Sequence, residues 1–123
     1  MINIWIVLVI IFFHWIADFV FQSDKEAQGK SKNWKDLLSH TIMYSLLWGI
    51  PIIIGKMCGL FGAQMLLFIP ITFCIHTATD FYTSRVNRQL WEQKDTHGFF
   101  VSIGFDQFLH YVQLLLTFYF LKG

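Results

Sequence analysis

Charge is scarce in this chain: nine basic and eight acidic side chains among 123 residues, 14% in all, beside 55% hydrophobic and 19% aromatic residues. A soluble domain of this size covers its surface with far more charge, so one small domain with lipid as its main solvent is expected. Cysteine is nearly absent as well. Cys58 and Cys74 make no C-x-x-C pair and fall in separate environments, one near a turn and one inside a helix. No disulfide or redox site is expected, and both read as small buried apolar residues. The chain also lacks a glycine-rich phosphate loop, a nucleophile elbow and a dinucleotide fingerprint. Its basic residues are too few and too close to apolar segments for nucleic-acid binding.

What it does have is long apolar sequence. Four segments, about Ile2–Gln22, Leu37–Lys56, Leu60–Tyr82 and Phe99–Leu121, match the roughly 20 residues that cross a bilayer as helix. The first has no basic leader and no small-x-small cleavage site, and it carries His14 and Asp18, so it reads as a retained helix rather than a signal peptide. The expected fold is all-α, a four-helix transmembrane bundle. Loops 23–36 and 83–98 hold Lys25, Lys30, Lys32, Lys35, Arg85, Arg88 and Lys94, against Lys56 and Lys122 elsewhere. The positive-inside rule then makes both loops cytoplasmic and puts both termini on the outer side. Trp34 and Trp91 fall at the inner interface and Trp5 at the outer one. Arg85–Glu92 reads as a short interfacial helix with Val86, Leu90 and Trp91 towards lipid.

Three pairs interrupt these segments: His14/Asp18, His76/Asp80 and Asp106/His110, each four residues apart and therefore on one helical face. Ionisable groups at membrane depth are costly and point to function. In each pair the aspartate lies nearer the cytoplasmic end and the histidine deeper, and His40 enters at a similar level from the second segment. One shared pocket open to the inner leaflet accounts for that ordering. The pattern also repeats: His-x-x-x-Asp-Phe at His14 and His76, then Asp-x-x-x-His at Asp36 and Asp106. This suggests a parallel two-helix repeat.

Imidazoles and carboxylates at one level of a helical bundle are a ligand set for Zn, Mn or Fe, and the number of candidates allows two ions. His14, Asp18, His40, His76, Asp80, Asp106 and His110 are the candidate ligands, with the three pairs also candidates for acid–base work. Two other readings remain: His/Asp bridges that only join helices, and an ion or proton relay of a transporter. Gln22, one turn past Asp18, could orient it or contact a headgroup. Thr77 and Tyr44 could donate into the pocket or bond a neighbouring helix. Asp36 is expected at the water interface and His97 in a solvated loop. The loop lysines set topology and touch anionic lipid; with Arg85 and Arg88 they could also draw in a phosphate-bearing substrate.

His14-x-x-x-Asp18-Phe19-x-x-Gln22-Ser-Asp24, His40, His76-x-x-x-Asp80 and Asp106-Gln107-x-x-His110 occur in that order over nearly the whole chain. The set resembles a family of small bacterial and phage integral membrane proteins known as domain of unknown function three-three-zero-seven. The family is more loosely similar to predicted membrane-bound metal-dependent hydrolases. The resemblance implies a multi-pass protein of the bacterial inner membrane and a divalent metal. It further implies hydrolysis of a phosphoester or similar bond in a lipid or amphiphile. Gln22, Gln107 and Arg85 are then candidate substrate contacts; family members often carry a lysine shortly after the third-helix aspartate, whereas here the nearest base is Arg85, five residues beyond Asp80. A transporter, or a non-catalytic phage or bacterial membrane accessory, is the competing class. So few helices also suggest a homo-oligomer.

Overall fold

The computed structural model describes residues 2–123, and among these there is no strand: the chain is all-α. Helix α1 covers Ile4–Trp15, started by Asn3, whose side chain accepts from the Trp5 N–H at 2.7 Å. It runs on as a π-helical turn over Ile16–Val20, in which the Phe21 N–H donates to the Ile16 carbonyl five residues back. Helix α2, Asp24–Gly29, begins with a reciprocal Ser23/Glu26 capping box. Helix α3 spans Trp34–Leu47 behind an Asn33 cap, and α4 spans Gly49–Met57. A 3-10 turn at Ala63–Leu67 leads into α5, Phe68–Glu92, and α6 covers Thr96–Leu121 behind an Asp95 cap.

The break between α3 and α4 has a local cause. Pro51 has no N–H to offer the carbonyl four residues earlier, so α3 ends at Leu47 and the chain turns at Trp48. Further along, Arg85–Glu92 is not a separate interfacial helix. Nothing between Phe81 and Glu92 is Gly or Pro, and these residues are the last turns of α5. His97 likewise sits exposed in the first turn of α6 rather than in a loop. Helices α5 and α6 pack along each other, α3 lies against α5, and α1 against α6.

Three stretches, Trp34–Met57, Ala63–Glu92 and Thr96–Leu121, are long and apolar enough to cross a membrane. The α1 stretch is shorter, 12 α-helical residues and five in the π turn. The distribution of polarity is inverted relative to a soluble bundle. Leu8, Phe12, Ile42, Leu46, Ile53 and Phe105 are exposed, whereas His14, His40, His76, Asp80 and His110 are at most 1% exposed. Cys58 and Cys74 are free thiols on the outside, not buried. An apolar tier of Ile10, Tyr44, Trp48, Ile52, Met65, Phe68 and Leu114 closes the end of the bundle away from α2.

Candidate metal centre

Four elements bring the ionisable groups together. Asp18 comes from the π turn, His40 from α3, His76 and Asp80 from adjacent turns of α5, and Asp106 and His110 from adjacent turns of α6. From the π turn, Asp18 reaches both its own helix and its neighbour. Its Oδ2 is 3.6 Å from His14 Nε2, yet its Oδ1 is 2.9 Å from His40 Nε2 on the neighbouring helix. Such bulges recur at functional sites.

Asp18, His40, His76 and Asp80 form one group of potential ligands, and Asp80, Asp106 and His110 a second. In the first, His40 Nε2 lies 3.3 Å from Asp80 Oδ2 and 3.3 Å from His76 Nε2. His76 Nε2 lies 3.4 Å from Asp80 Oδ2 and 3.6 Å from Asp18 Oδ1. A tetrahedron with ligand bonds of about 2.0–2.1 Å has edges of roughly 3.3–3.4 Å. Three of these distances match the spacing a tetrahedral cation needs, the Asp18–His76 edge is slightly longer at 3.6 Å, and the Asp18–His40 edge is shorter at 2.9 Å. The buried oxygen Asp18 Oδ1 makes no aligned hydrogen bond, although two imidazole nitrogens face it. An anionic atom buried in that way is suited to a cation. In the second group, His110 Nε2 lies 3.1 Å from Asp80 Oδ1 and 3.3 Å from Asp106 Oδ1. Asp80 thus contributes one oxygen to each group. The residues present fit a divalent ion in the first group, and the second offers three ligands.

Around these groups lies a shell of orienting contacts. His14 Nε2 donates to Gln107 Oε1 at 2.7 Å, and its Nδ1 meets the Tyr44 hydroxyl at 2.7 Å. Gln107 Nε2 in turn donates to Asp106 Oδ2 at 3.1 Å, and Thr83 Oγ1 donates to Asp106 Oδ1 at 2.6 Å. Tyr44 also stacks on the His76 ring, with centroids 3.8 Å apart and planes at 12°. Both nitrogens of His14 are thus engaged outside the two ligand groups, so here it orients Gln107 rather than facing a shared ion. Lys30 reaches in from the connection after α2, its Nζ 3.4 Å from Asp80 Oδ2. Burial works against the Lys30 charge, and the Asp80, Asp18 and Asp106 carboxylates outweigh it, holding the ammonium above the ordinary lysine value.

Two of the remaining candidates lie elsewhere. Arg85 Nη1 donates to the Phe81 carbonyl at 2.7 Å while its guanidinium covers the Phe81 ring at 3.7 Å. Asp36 is buried on the α2 side, bonded to Asn33, and is absent from the cluster that its repeat counterpart Asp106 joins. Gln22 lines a cavity beside the centre, and the Thr77 hydroxyl is buried without a partner. Lys30 and Thr83 carried no periodic signal in the sequence, one lying in a loop and the other being an ordinary helical threonine. Nor was there one for the buried Thr72–Gln113–Thr117 network deeper in the bundle, where Gln113 Nε2 donates to both hydroxyls.

No curated protein and no solved structure matches the chain. A family model does, and it spans every residue of both ligand groups as well as the relay of Tyr44, His14 and Gln107. With residues 6–122 matched, the chain belongs to the family described as Protein of unknown function (DUF3307).

Proposed function

We propose that this chain is a membrane-embedded, metal-dependent hydrolase acting on a phosphoester or similar bond of a lipid or amphiphile at the cytoplasmic leaflet of a bacterial inner membrane. In this reading α1 with its π turn is a fourth, short span, and the lysine-bearing connection around α2 faces the cytoplasm. The observation that carries it is the convergence of buried ligand atoms from Asp18, His40, His76 and Asp80, with the three-ligand set of Asp80, Asp106 and His110 beside it. A divalent ion bound there would supply Lewis acidity towards a phosphoryl oxygen and a lowered pKa for water.

The protein's own contribution is orientation. Tyr44, His14 and Gln107 form a hydrogen-bonded line that fixes Asp106, and Thr83 holds its other oxygen. Positioning of this kind keeps a ligand carboxylate in place without itself touching the reacting bond. Lys30 adds a cation on the cavity side, suited to an incoming phosphate.

Elemental analysis of detergent-purified protein tests the reading, with wild type beside Asp80→Asn. One to two transition-metal ions per wild-type chain, lost in Asp80→Asn together with hydrolysis of bis(p-nitrophenyl) phosphate, is the expected result. A wild-type protein free of transition metal would remove it and favour a metal-independent relay.

A further inference from the structure

Beside the metal centre, between α2, the last turns of α5 and the start of α6, lies a cavity of about 690 Å³. Asp18, Asp106 and Gln107 line its inner end, so it opens directly onto both ligand groups. Three cations border it, Lys30, Lys32 and Arg88, together with three carboxylates, Asp18 and Asp106 at the ligand groups and Glu92 beside Arg88. Lys30 is largely buried, its side chain 19% exposed. Among the described residues, Arg88 has one ion-pair partner, Glu92 at 3.9 Å.

The walls carry a second, independent signal. Gln22 Oε1, Ser84 Oγ and Asn87 Oδ1 are buried polar atoms without a hydrogen-bond partner, and all three residues line this cavity. Buried polar groups are almost always paired, so these three atoms bordering one space are acceptors and donors free to pair with a polar molecule, or with water, that enters it. Ser84, Asn87 and Arg88 share one face of α5, and Gln22 faces them from beyond the π turn. Towards the outside the lining changes character: Phe19 and Phe100 border the cavity and are themselves exposed on the apolar exterior.

We infer that the cavity takes the headgroup of a lipid bearing both a phosphate and free hydroxyls. The phosphate lies against Lys30, Lys32 and Arg88, the hydroxyls meet Gln22, Ser84 and Asn87, and the tails leave past Phe19 and Phe100 into the acyl region. The inference rests on the hydrolase reading for the fate of the phosphoester, whereas the binding is separately measurable.

The test uses purified protein in maltoside micelles, its metal content measured on the same sample. It is titrated with dihexanoyl phosphatidylglycerol, dihexanoyl phosphatidylcholine and glycerol 3-phosphate, binding being read from tryptophan fluorescence and thermal shift. Phosphatidylglycerol is expected to bind about tenfold more tightly than either comparator, the scale of one well-formed polar recognition. Asn87→Leu and the milder Ser84→Ala should each weaken it about fivefold with metal content unchanged. Equal binding of phosphatidylcholine overturns the proposal, as does wild-type affinity in both variants. Glycerol 3-phosphate binding as tightly as the lipid overturns the lipid assignment, since the aromatic mouth would contribute nothing. A metal-free protein that still prefers phosphatidylglycerol sustains this inference while removing the hydrolase; a metal-loaded protein without the preference does the reverse.

Discussion

Tyr44 shows how one hydroxyl can organise a site it does not join. It is fully buried, meets His14 Nδ1 at 2.7 Å and stacks on His76. Tyr44→Phe keeps the stack and leaves His14 Nδ1 unpaired, which costs about 1–3 kcal/mol for a buried group. The expected outcome is a lowered unfolding temperature in detergent with metal content retained, whereas Asp80→Asn loses the metal. Equal metal loss in both variants would mean that Tyr44 acts on the ligands themselves. At this scale much was legible in advance, because charged pairs four apart in apolar sequence declare a common face. Roles were not. Nothing in spacing distinguishes His14, whose nitrogens are committed to Tyr44 and Gln107, from His76, whose Nε2 faces the shared centre. Lys30 was unreadable for a different reason: a loop lysine has no periodicity to betray that it points inward at Asp80.

At the scale of the element, local chemistry decides where each helix stops and how closely it lies on the next. Gly29 ends α2 directly against Asp36, and a Cβ there would run into the Asp36 carboxylate. Gly29→Ala should therefore loosen α2 from α3 and destabilise by about 1–3 kcal/mol, the usual range for overpacking. Limited proteolysis within residues 23–33 reads this as faster cleavage. Lys94, between α5 and α6, adopts φ 58° in the left-handed region. Lys94→Gly removes that strain and should stabilise by about 1 kcal/mol, visible as a higher midpoint of thermal unfolding. Hydropathy located the apolar stretches well, because length and composition suffice for that. It stopped α5 at Tyr82, where the apolar run ends, although the helix continues to Glu92 with no breaker in its path. The π turn at Ile16–Val20 left no trace in the sequence pattern, since apart from Asp18 its residues are as apolar as those before them and no Gly or Pro marks it.

For the molecule as a whole, the governing fact is that like-charged carboxylates converge in an interior surrounded by apolar surface. Asp18, Asp80 and Asp106 are not covered by apolar packing, and bound cations would offset much of the cost of burying them. Chelation of the purified protein is expected to lower its unfolding temperature by more than about 10 °C, consistent with a few kcal/mol of ligand-linked stability in a small domain. An unfolding temperature insensitive to chelator would show that the histidines and Lys30 neutralise the cluster unaided. The bundle's half-to-half likeness has a limit at this scale too. Asp106 joins the cluster, whereas Asp36 is drawn to Asn33 and α2, so whatever duplication the motifs suggest has not produced two equivalent halves.

Asp80 belongs to both ligand groups through different oxygens. A first ion that immobilises this carboxylate would present its remaining oxygen ready-aimed to a second, so occupancy should rise steeply with metal concentration instead of following a simple hyperbola. Singly loaded protein would then be scarce at every metal concentration, with a Hill coefficient approaching but not exceeding two.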